Sequence, residues 1–404
     1  MCTRILLFLA LIISVNANDW PRFMGPNSND QTNPMSGFTG DLNKWKKSWE
    51  VNVGVGYSAI AVVGDKAYTM GHDGKETETI YCIDPVTGKE IWKYSYKGLL
   101  INKLHLGGPN ATTELEGDFL YTLSKDGKAF CLNRNTGELV WKTNLLKEFG
   151  IKQPAFGFAG SPVIHKDWVL FTCGKAGALD KKTGKVIWVS KYTESGESAY
   201  HPGHATPVVF DYKKQSYLLL YVGTGVEVLQ LKDGKQVGRY NVTARFNMTA
   251  STPLVYNNGS QILLSWSAYS ALLDFDGKSL KQVWKQKGMI RSMQNSVRIG
   301  DTVFGVSGLH GSKRGEMAAV DIKTGKALWS EKGIKWSQIT AVGDILLCMD
   351  IKGELVSVKA DKAKFEELSR KRIFTSTCWT KVTYAKGNIY ARNNKGQVIC
   401  LSLK

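Results

Sequence analysis

The chain lacks most of the features that announce a familiar protein class. Beyond one apolar run at its start, no stretch of the 404 residues approaches the ~20 apolar residues that cross a bilayer, so no transmembrane segment is expected. No C-x-x-C-H motif occurs, which excludes haem attachment of that type. No helical period persists over a long stretch, and long amphipathic helices are excluded with it. Lys and Arg number 53 against 35 Asp and Glu, a formal charge of +18, yet no basic block with interleaved aromatics marks a nucleic-acid track. The excess favours acidic partners, although the lysines fall mostly in turns such as Thr87-Gly88-Lys89, Lys181-Lys182 and Lys323, as scattered solubilising charge. Neither a Ser-His-Asp order nor a paired-carboxylate motif stands out among the acids. No catalytic residue and no metal ligand is assigned.

The apolar run reads as an export leader. Arg4 supplies a positive start, Ile5 to Ile13 is uninterrupted, and Val15-Asn16-Ala17 offers small residues for cleavage. Residues 1–17 are expected to be removed, leaving a chain that starts near Asn18 and works in the periplasm or outside the cell. Cys2 precedes the run, so it cannot become a lipidated N-terminus. No lipid anchor is expected.

Six cysteines follow the leader, and an even number in an exported protein invites a disulfide reading. Their positions argue otherwise. Cys82, Cys131 and Cys400 recur at one point of a repeat, and equivalent points of neighbouring units lie beyond the ~7 Å Cα limit for a bridge. Cys173 and Cys348 share a second such point, so most are expected to be buried free thiols. Pairing of Cys378 is left open.

The repeat carries most of the information. CIDPVTGKEIW (Cys82 to Trp92), CLNRNTGELVW (Cys131 to Trp141), ALDKKTGKVIW (Ala178 to Trp188) and AVDIKTGKALW (Ala319 to Trp329) are copies of one phrase, and LLDFDGKSLKQVW (Leu272 to Trp284) is a stretched one. Copies recur at the span of a four-stranded propeller blade. Each unit reads as three short strands, a Thr-Gly turn whose glycine takes positive φ without steric cost, and a fourth strand bearing Trp. Units begin at Tyr57, Gly108, Phe158, Gly203, Thr249, Gln294, Trp336 and Cys378. Trp92, Trp141, Trp188, Trp284 and Trp329 are expected to dock each blade on its neighbour. Gly238 stands where the fourth unit should carry Trp, the seventh has lost the phrase, and the eighth ends after its third strand. Its missing strand is available as WKKSWEV (Trp45 to Val51). The expectation is an all-β chain: a lead-in over 18–44, then a single eight-bladed β-propeller over 45–404, closed by an N-terminal strand so that no sheet edge is left open.

This phrase resembles the pyrroloquinoline-quinone repeat family, which includes quinoprotein alcohol dehydrogenases and the propeller subunit of the outer-membrane assembly machinery. The opening DWPRFMGPNSND (Asp19 to Asp30) also resembles the lead-in of a bacterial subgroup. For the dehydrogenases the resemblance implies a planar quinone on the propeller axis between a Trp floor and a disulfide of adjacent cysteines, with Ca²⁺ polarising it. The chain has no adjacent cysteine pair, and no family catalytic residue transfers. The assembly subunit is a lipoprotein scaffold, and the cysteine that would carry its lipid is absent here.

Aligning the units places Tyr57, Asn110, Ala159, His204, Ala250, Met293, Trp336 and Trp379 at one equivalent position, which should ring a mouth of the central channel. The candidate ligand-binding residues are Tyr57, His204, Met293, Trp336 and Trp379, an amphipathic lining suited to a flat or sugar-like ligand; the same residues would equally serve as a plug. In ESGESAYHPGH, the set Glu194, Glu197, His201 and His204 has a metal-like spacing, but Pro202-Gly203 break any helix that would align it, and it reads as a polar loop. His105 reads likewise, and His72, His165 and His310 read as turn residues. The leading expectation is a monomeric, non-catalytic binding or scaffold protein of the envelope, with no cofactor assigned and with an envelope protein or an anionic small or polymeric ligand at the mouth. The alternative is an oxidoreductase using pyrroloquinoline quinone (PQQ) with Ca²⁺.

Overall fold

The Asp-x-x-Thr-Gly phrase builds its own turn. In the first unit Asp84 Oδ1 accepts the backbone N–H groups of Val86 and Thr87 at 2.8 and 2.9 Å, and these bonds hold its carboxyl below the usual carboxylate range. Gly88 then takes φ +74°, and the chain returns antiparallel as Glu90–Lys97. The computed structural model describes residues 19–103, 105–173, 175–191, 203–244, 249–266, 269–287, 294–307 and 315–403. Among them are eight sheets, each of four antiparallel blade strands, in sequential order in seven of them and completed by an N-terminal strand in the eighth. The first blade runs Ala61–Val63, Lys66–His72, Thr77–Ile83 and Glu90–Lys97 from inside to outside. Among the described residues helix is confined to Leu145–Phe149 and a 3-10 turn at Leu42–Lys44. The chain is an eight-bladed β-propeller.

Closure follows the expected route. Trp45–Asn52 pairs antiparallel with Gln397–Leu403 as the outer strand of the eighth blade, Val51 opposite Val398 and Trp49 opposite Cys400. That register gives the eighth blade a Trp at the repeat position, because Trp92 lies opposite Cys82, Trp141 opposite Cys131 and Trp188 opposite Ala178. The fully buried Arg392 fastens the same seam. Its Nη1 donates to Ser58 O, Thr69 Oγ1 and Met70 O of the first blade at 2.7–3.0 Å.

Five of the eight seams between blades are an indole lying on a glycine. A Cβ added to Gly88, Gly137, Gly184, Gly234 or Gly325 would come within 2.5–2.8 Å of Trp49, Trp92, Trp141, Trp188 or Trp284 respectively. No side chain fits there. In five blades the indole N–H also donates across the seam to a backbone carbonyl, Trp49 to Pro85, Trp92 to Arg134, Trp141 to Lys181, Trp284 to Ile322 and Trp329 to Asp361, at 2.8–3.0 Å. Where Gly238 replaces Trp, Leu280 is the nearest side chain, and Phe210, Tyr217 and Phe275 pack with ring centroids 5.0–5.6 Å apart.

The lead-in, expected merely to precede the ring, enters it. Trp20 bridges to Val62 of the first inner strand, and Leu115 N donates to Pro21 O in the second blade. Gln31–Thr32 then adds a parallel strand on the inner edge of the seventh blade, opposite Ala341 and Val342. Asp30 is fully buried there, ion-paired with Lys381 and accepting Asn295 Nδ2 at 2.9 Å. Beyond it, Gly40 O accepts Ser357 Oγ and Leu42 N donates to Ser369 Oγ at 3.0 Å. The segment thus fills the seam where the seventh blade has lost its Trp.

Cys82, Cys131, Cys348, Cys378 and Cys400 are free and buried, and burial pushes the first four thiols up to about 12. Such thiols are unreactive. His72 departs from the expected turn residue: it ends the buried second strand of the first blade, with Nε2 3.1 Å from Gly98 O. A strand end facing the next loop looks like a turn when only local sequence is read. His165 closes the strand Val163–His165 beside its turn, whereas His310 and the leader lie outside the described residues.

Three outcomes check this packing. Deleting residues 18–51 should expose two sheet edges and yield aggregates by light scattering, whereas a monomeric product melting like the parent would contradict closure. Trp141→Ala should cost ~3 to 5 kcal/mol in denaturant unfolding, as a large buried aromatic does. Thirdly, burial raises the Glu78 carboxyl from 4.5 to about 7, with Asp126 adding to it. A carboxyl whose pKa is raised by folding is fully accommodated below 4.5 and costs stability as pH climbs towards 7. Glu114, also raised to about 7, acts in the same window. The urea midpoint should therefore fall between pH 4.5 and 7, and fall less steeply in Glu78→Gln; an unchanged slope would refute the assignment.

Candidate functional site

The strand registers fix one end of the channel. Ala61, Glu114, Val163, Val208, Leu254, Val297, Thr340 and Thr383 occupy equivalent inner positions, each opposite the second-strand residue that leads across to the Trp position. Four residues before each lie Tyr57, Asn110, Ala159, His204, Ala250, Met293, Trp336 and Trp379. Met293 falls outside the described residues, as do Glu194, Glu197 and His201.

Three of the expected mouth residues touch. Tyr57 stacks on Trp379 with centroids 5.1 Å apart and planes 26° apart, and Trp379 meets Trp336 edge-on at 6.0 Å. Offset stacking and edge contacts are the favourable arrangements of aromatic rings. His204 does not join them directly. It is linked through His105, which the sequence read as a polar loop residue and which lies 5.6 Å from Tyr57 and 6.2 Å from Trp379, and through Phe156, which the sequence reading passed over and which lies 6.1 Å from both His105 and His204. Trp336, Trp379, Tyr57, His105, Phe156 and His204 form a continuous arc. His105 and Phe156 sit in loops that precede inner strands, and a loop residue carries no periodic mark in sequence. The one available signal was an aromatic or His in two consecutive inter-blade loops.

The arc is anchored from below. Tyr57 N donates to Pro109 O at 2.7 Å, its hydroxyl accepts Leu106 N at 3.0 Å, and its carbonyl accepts Thr380 Oγ1 at 3.0 Å. Burial pushes the Tyr57 phenol up to about 12, so it stays protonated and able to donate. Trp379 N donates to Asn394 Oδ1 at 3.0 Å. Arg392, near Tyr57, is drawn down to about 10 by burial and remains cationic at neutral pH. In the second blade Asn110 Oδ1 accepts the buried Lys125 ammonium at 2.5 Å, and desolvation lowers that lysine to about 7. Two residues deeper, Ala59 N, Thr112 N and Ser161 N donate to Thr112 Oγ1, Ser161 Oγ and Thr206 Oγ1, each at 3.0 Å. These bonds tie consecutive inner strands into a belt that fixes the spacing of the residues above it.

The opposite end of the channel is occupied. Asp30 reaches Lys381 and Asn295, which lie two residues inside the mouth position of their strands, and Phe23 lies under the Lys381 ammonium at 3.7 Å. The lead-in therefore enters the channel from the face opposite the aromatic arc. Trp92, Trp141, Trp188, Trp284 and Trp329 sit in the outer strands, remote from it.

Comparison with known proteins agrees with this geometry at the level of fold and family. Quinoprotein ethanol dehydrogenase of Pseudomonas putida is 22% identical over 244 residues, which is 50% of this chain and 37% of that protein. The Pseudomonas aeruginosa quinoprotein ethanol dehydrogenase is 28% identical over 152 residues, 34% of this chain and 24% of its own length. The chain thus spans well under half the length of the curated relatives it matches. Among solved structures, quinohemoprotein alcohol dehydrogenase from Comamonas testosteroni superposes with a TM-score of 0.73 at 15% identity, covering 96% of this chain and 80% of that one. BamB from Moraxella catarrhalis superposes with a TM-score of 0.64 at 16% identity, covering 89% and 99%. At such identities the superpositions speak for the fold alone. Residues 76–331, more than half of the sequence, match the family model described as outer membrane protein assembly factor BamB, and the chain belongs to that family.

Proposed function

We propose that this chain is an exported, non-catalytic binding propeller of the cell envelope. It takes a protein partner or an anionic small or polymeric ligand at the mouth bearing Tyr57, His204, Trp336 and Trp379. The observation that carries the reading is the asymmetry of the channel. Residues 19–32 enter one end, and the other carries packed rings tied to the scaffold, Tyr57 through its hydroxyl to Leu106 N and Trp379 through its backbone N–H to Asn394. Membership of a family described as an outer membrane protein assembly factor supports an envelope protein as the partner. The excess of Lys and Arg supports an acidic one.

A second reading, a PQQ-dependent alcohol dehydrogenase-like oxidoreductase with Ca²⁺, is favoured by the quinoprotein relatives. Tyr57 and Trp379 offer faces on which a planar quinone would stack. The fit ends there. No two cysteines are adjacent in sequence, and among the described residues no three His, Cys, Asp or Glu side chains converge as metal ligands. No catalytic step is derived through that cofactor.

The test combines capture with chemistry. Immobilised full-length protein is exposed to an envelope extract, and soluble protein is mixed with pyrroloquinoline quinone and Ca²⁺ in the presence of ethanol and a redox dye. The binding reading expects a captured partner that is weakened but not abolished by 0.5 M salt, on the order of what screening removes from exposed charges while stacking persists. Trp336→Ala/Trp379→Ala should lose that partner while the ring stays folded by circular dichroism, at some cost in melting temperature. Full retention would move the site to the opposite face, and ethanol-dependent dye reduction would establish the oxidoreductase.

A further inference from the structure

We infer a second binding site on the face opposite the mouth, at the seam between the third and fourth blades, that takes a short carboxylated saccharide chain. The repeat is interrupted there in three ways. The phrase that elsewhere reads Asp-x-x-Thr-Gly becomes Gln230-Leu231-Lys232-Asp233-Gly234. The inner hairpin of the fourth blade, Val208–Tyr212 paired with Gln215–Val222, extends two residues beyond its counterpart in the first blade and turns through Lys213 and Lys214 at φ 48° and 64°. The Trp188 indole N–H, unlike those of Trp49, Trp92, Trp141, Trp284 and Trp329, makes no hydrogen bond across its seam.

The result is a groove of about 390 Å³ lined by His165, Trp168, Gln215, Ser216, Gln230 and Lys232, with Lys166 and Asp167 at its edge. That volume lies within the ~300–1,000 Å³ of small-ligand sites. Trp168 is half-buried and supplies an apolar wall. The Gln215 Oε1 takes the Tyr217 hydroxyl at 2.8 Å, which leaves its amide nitrogen to donate elsewhere. A ring with an apolar C–H face and hydroxyls at its edge matches such a lining; a simple inorganic anion would use none of it.

Charge selects the class. Lys166, Lys182, Lys185, Lys213, Lys214 and Lys232 all sit in the turns of these two blades on this face, exposed, with no carboxylate in ion-pair range among the described residues. The neighbouring acids are engaged in their own turns. Asp180 Oδ1 accepts Lys182 N and Thr183 N, Asp233 Oδ1 accepts Lys235 N, and Asp211 Oδ1 accepts Ser216 Oγ. Asp167 is left as an acceptor for sugar hydroxyls. Lysines spread beyond the groove suit a chain with a charge on each unit over a single anionic sugar.

Calorimetric titration of the full-length chain with trigalacturonate tests this, with maltotriose as the uncharged saccharide and citrate as the charge without sugar. Trigalacturonate should bind, with affinity falling as salt rises, and both controls should bind at least tenfold more weakly. Lys166→Gln/Lys232→Gln, which removes surface charge without touching the core, should weaken trigalacturonate at least tenfold. Trp168→Ala should do the same and Trp168→Phe should largely restore it. Trp336→Ala/Trp379→Ala should leave it unchanged, separating this site from the mouth. Absence of trigalacturonate binding, equal affinity for citrate, or undiminished affinity in the lysine pair each overturns the inference.

Discussion

An indole laid flat on a glycine is the contact from which the ring is built. The glycine ends a turn at positive φ, so it is needed for the hairpin; the indole of the preceding blade then occupies the volume where a Cβ would be, so it is needed again for the seam. One residue satisfies a local and a global requirement together. Opposite the indole, within its own sheet, the partner is small in five blades, Cys82, Cys131, Ala178, Ala319 and Cys400, and is Leu272 in the fifth blade. Cys82, Cys131 and Cys400 therefore belong to the packing of the Trp.

Where the contact is missing, the structure uses unrelated material. The seam after Gly238 is filled by aromatics from two blades, and the seam after the seventh blade by the lead-in. That same lead-in contacts the inner strands of the first, second, sixth, seventh and eighth blades and runs directly into the outer strand of the eighth blade. A buried Asp30–Lys381 pair fixes its register. Two desolvated charges stabilise little on net, but either one alone would be costly, so the segment has one low-energy placement. The aromatic arc stands at the other side, which is where recognition is proposed.

How much of this was legible in the sequence depended on whether a feature repeats. The Trp-bearing phrases gave the blade count, the order of strands and the closing strand, because five copies make a local pattern statistically plain. Trp49 was not read as a sixth docking residue, since its turn lies at the other end of the chain and the phrase is split across closure. The equivalent mouth positions could be aligned from the first hairpin of each unit, and the longer hairpin of the fourth blade did not disturb His204 because the extra residues lie beyond the turn. His105, Phe156 and Arg392 were missed for a physical reason: each is placed by contacts with another blade, Arg392 across 322 to 338 residues, and nothing in its local sequence signals them. The entry of residues 19–32 into the channel was invisible for the same reason.

The central claim is that the lead-in fills one end of the channel, and hydrogen exchange measured on the full-length chain tests it most directly. The account predicts that the amides of Trp20, Val62, Asp30 and Ala341, which bond between the lead-in and the inner strands or within the lead-in's turn, exchange as slowly as the amides of Lys66–His72. Exchange in them as fast as in exposed turn residues such as Lys75 would mean that the lead-in does not fill the channel, and the assignment of recognition to the opposite mouth would lose its basis.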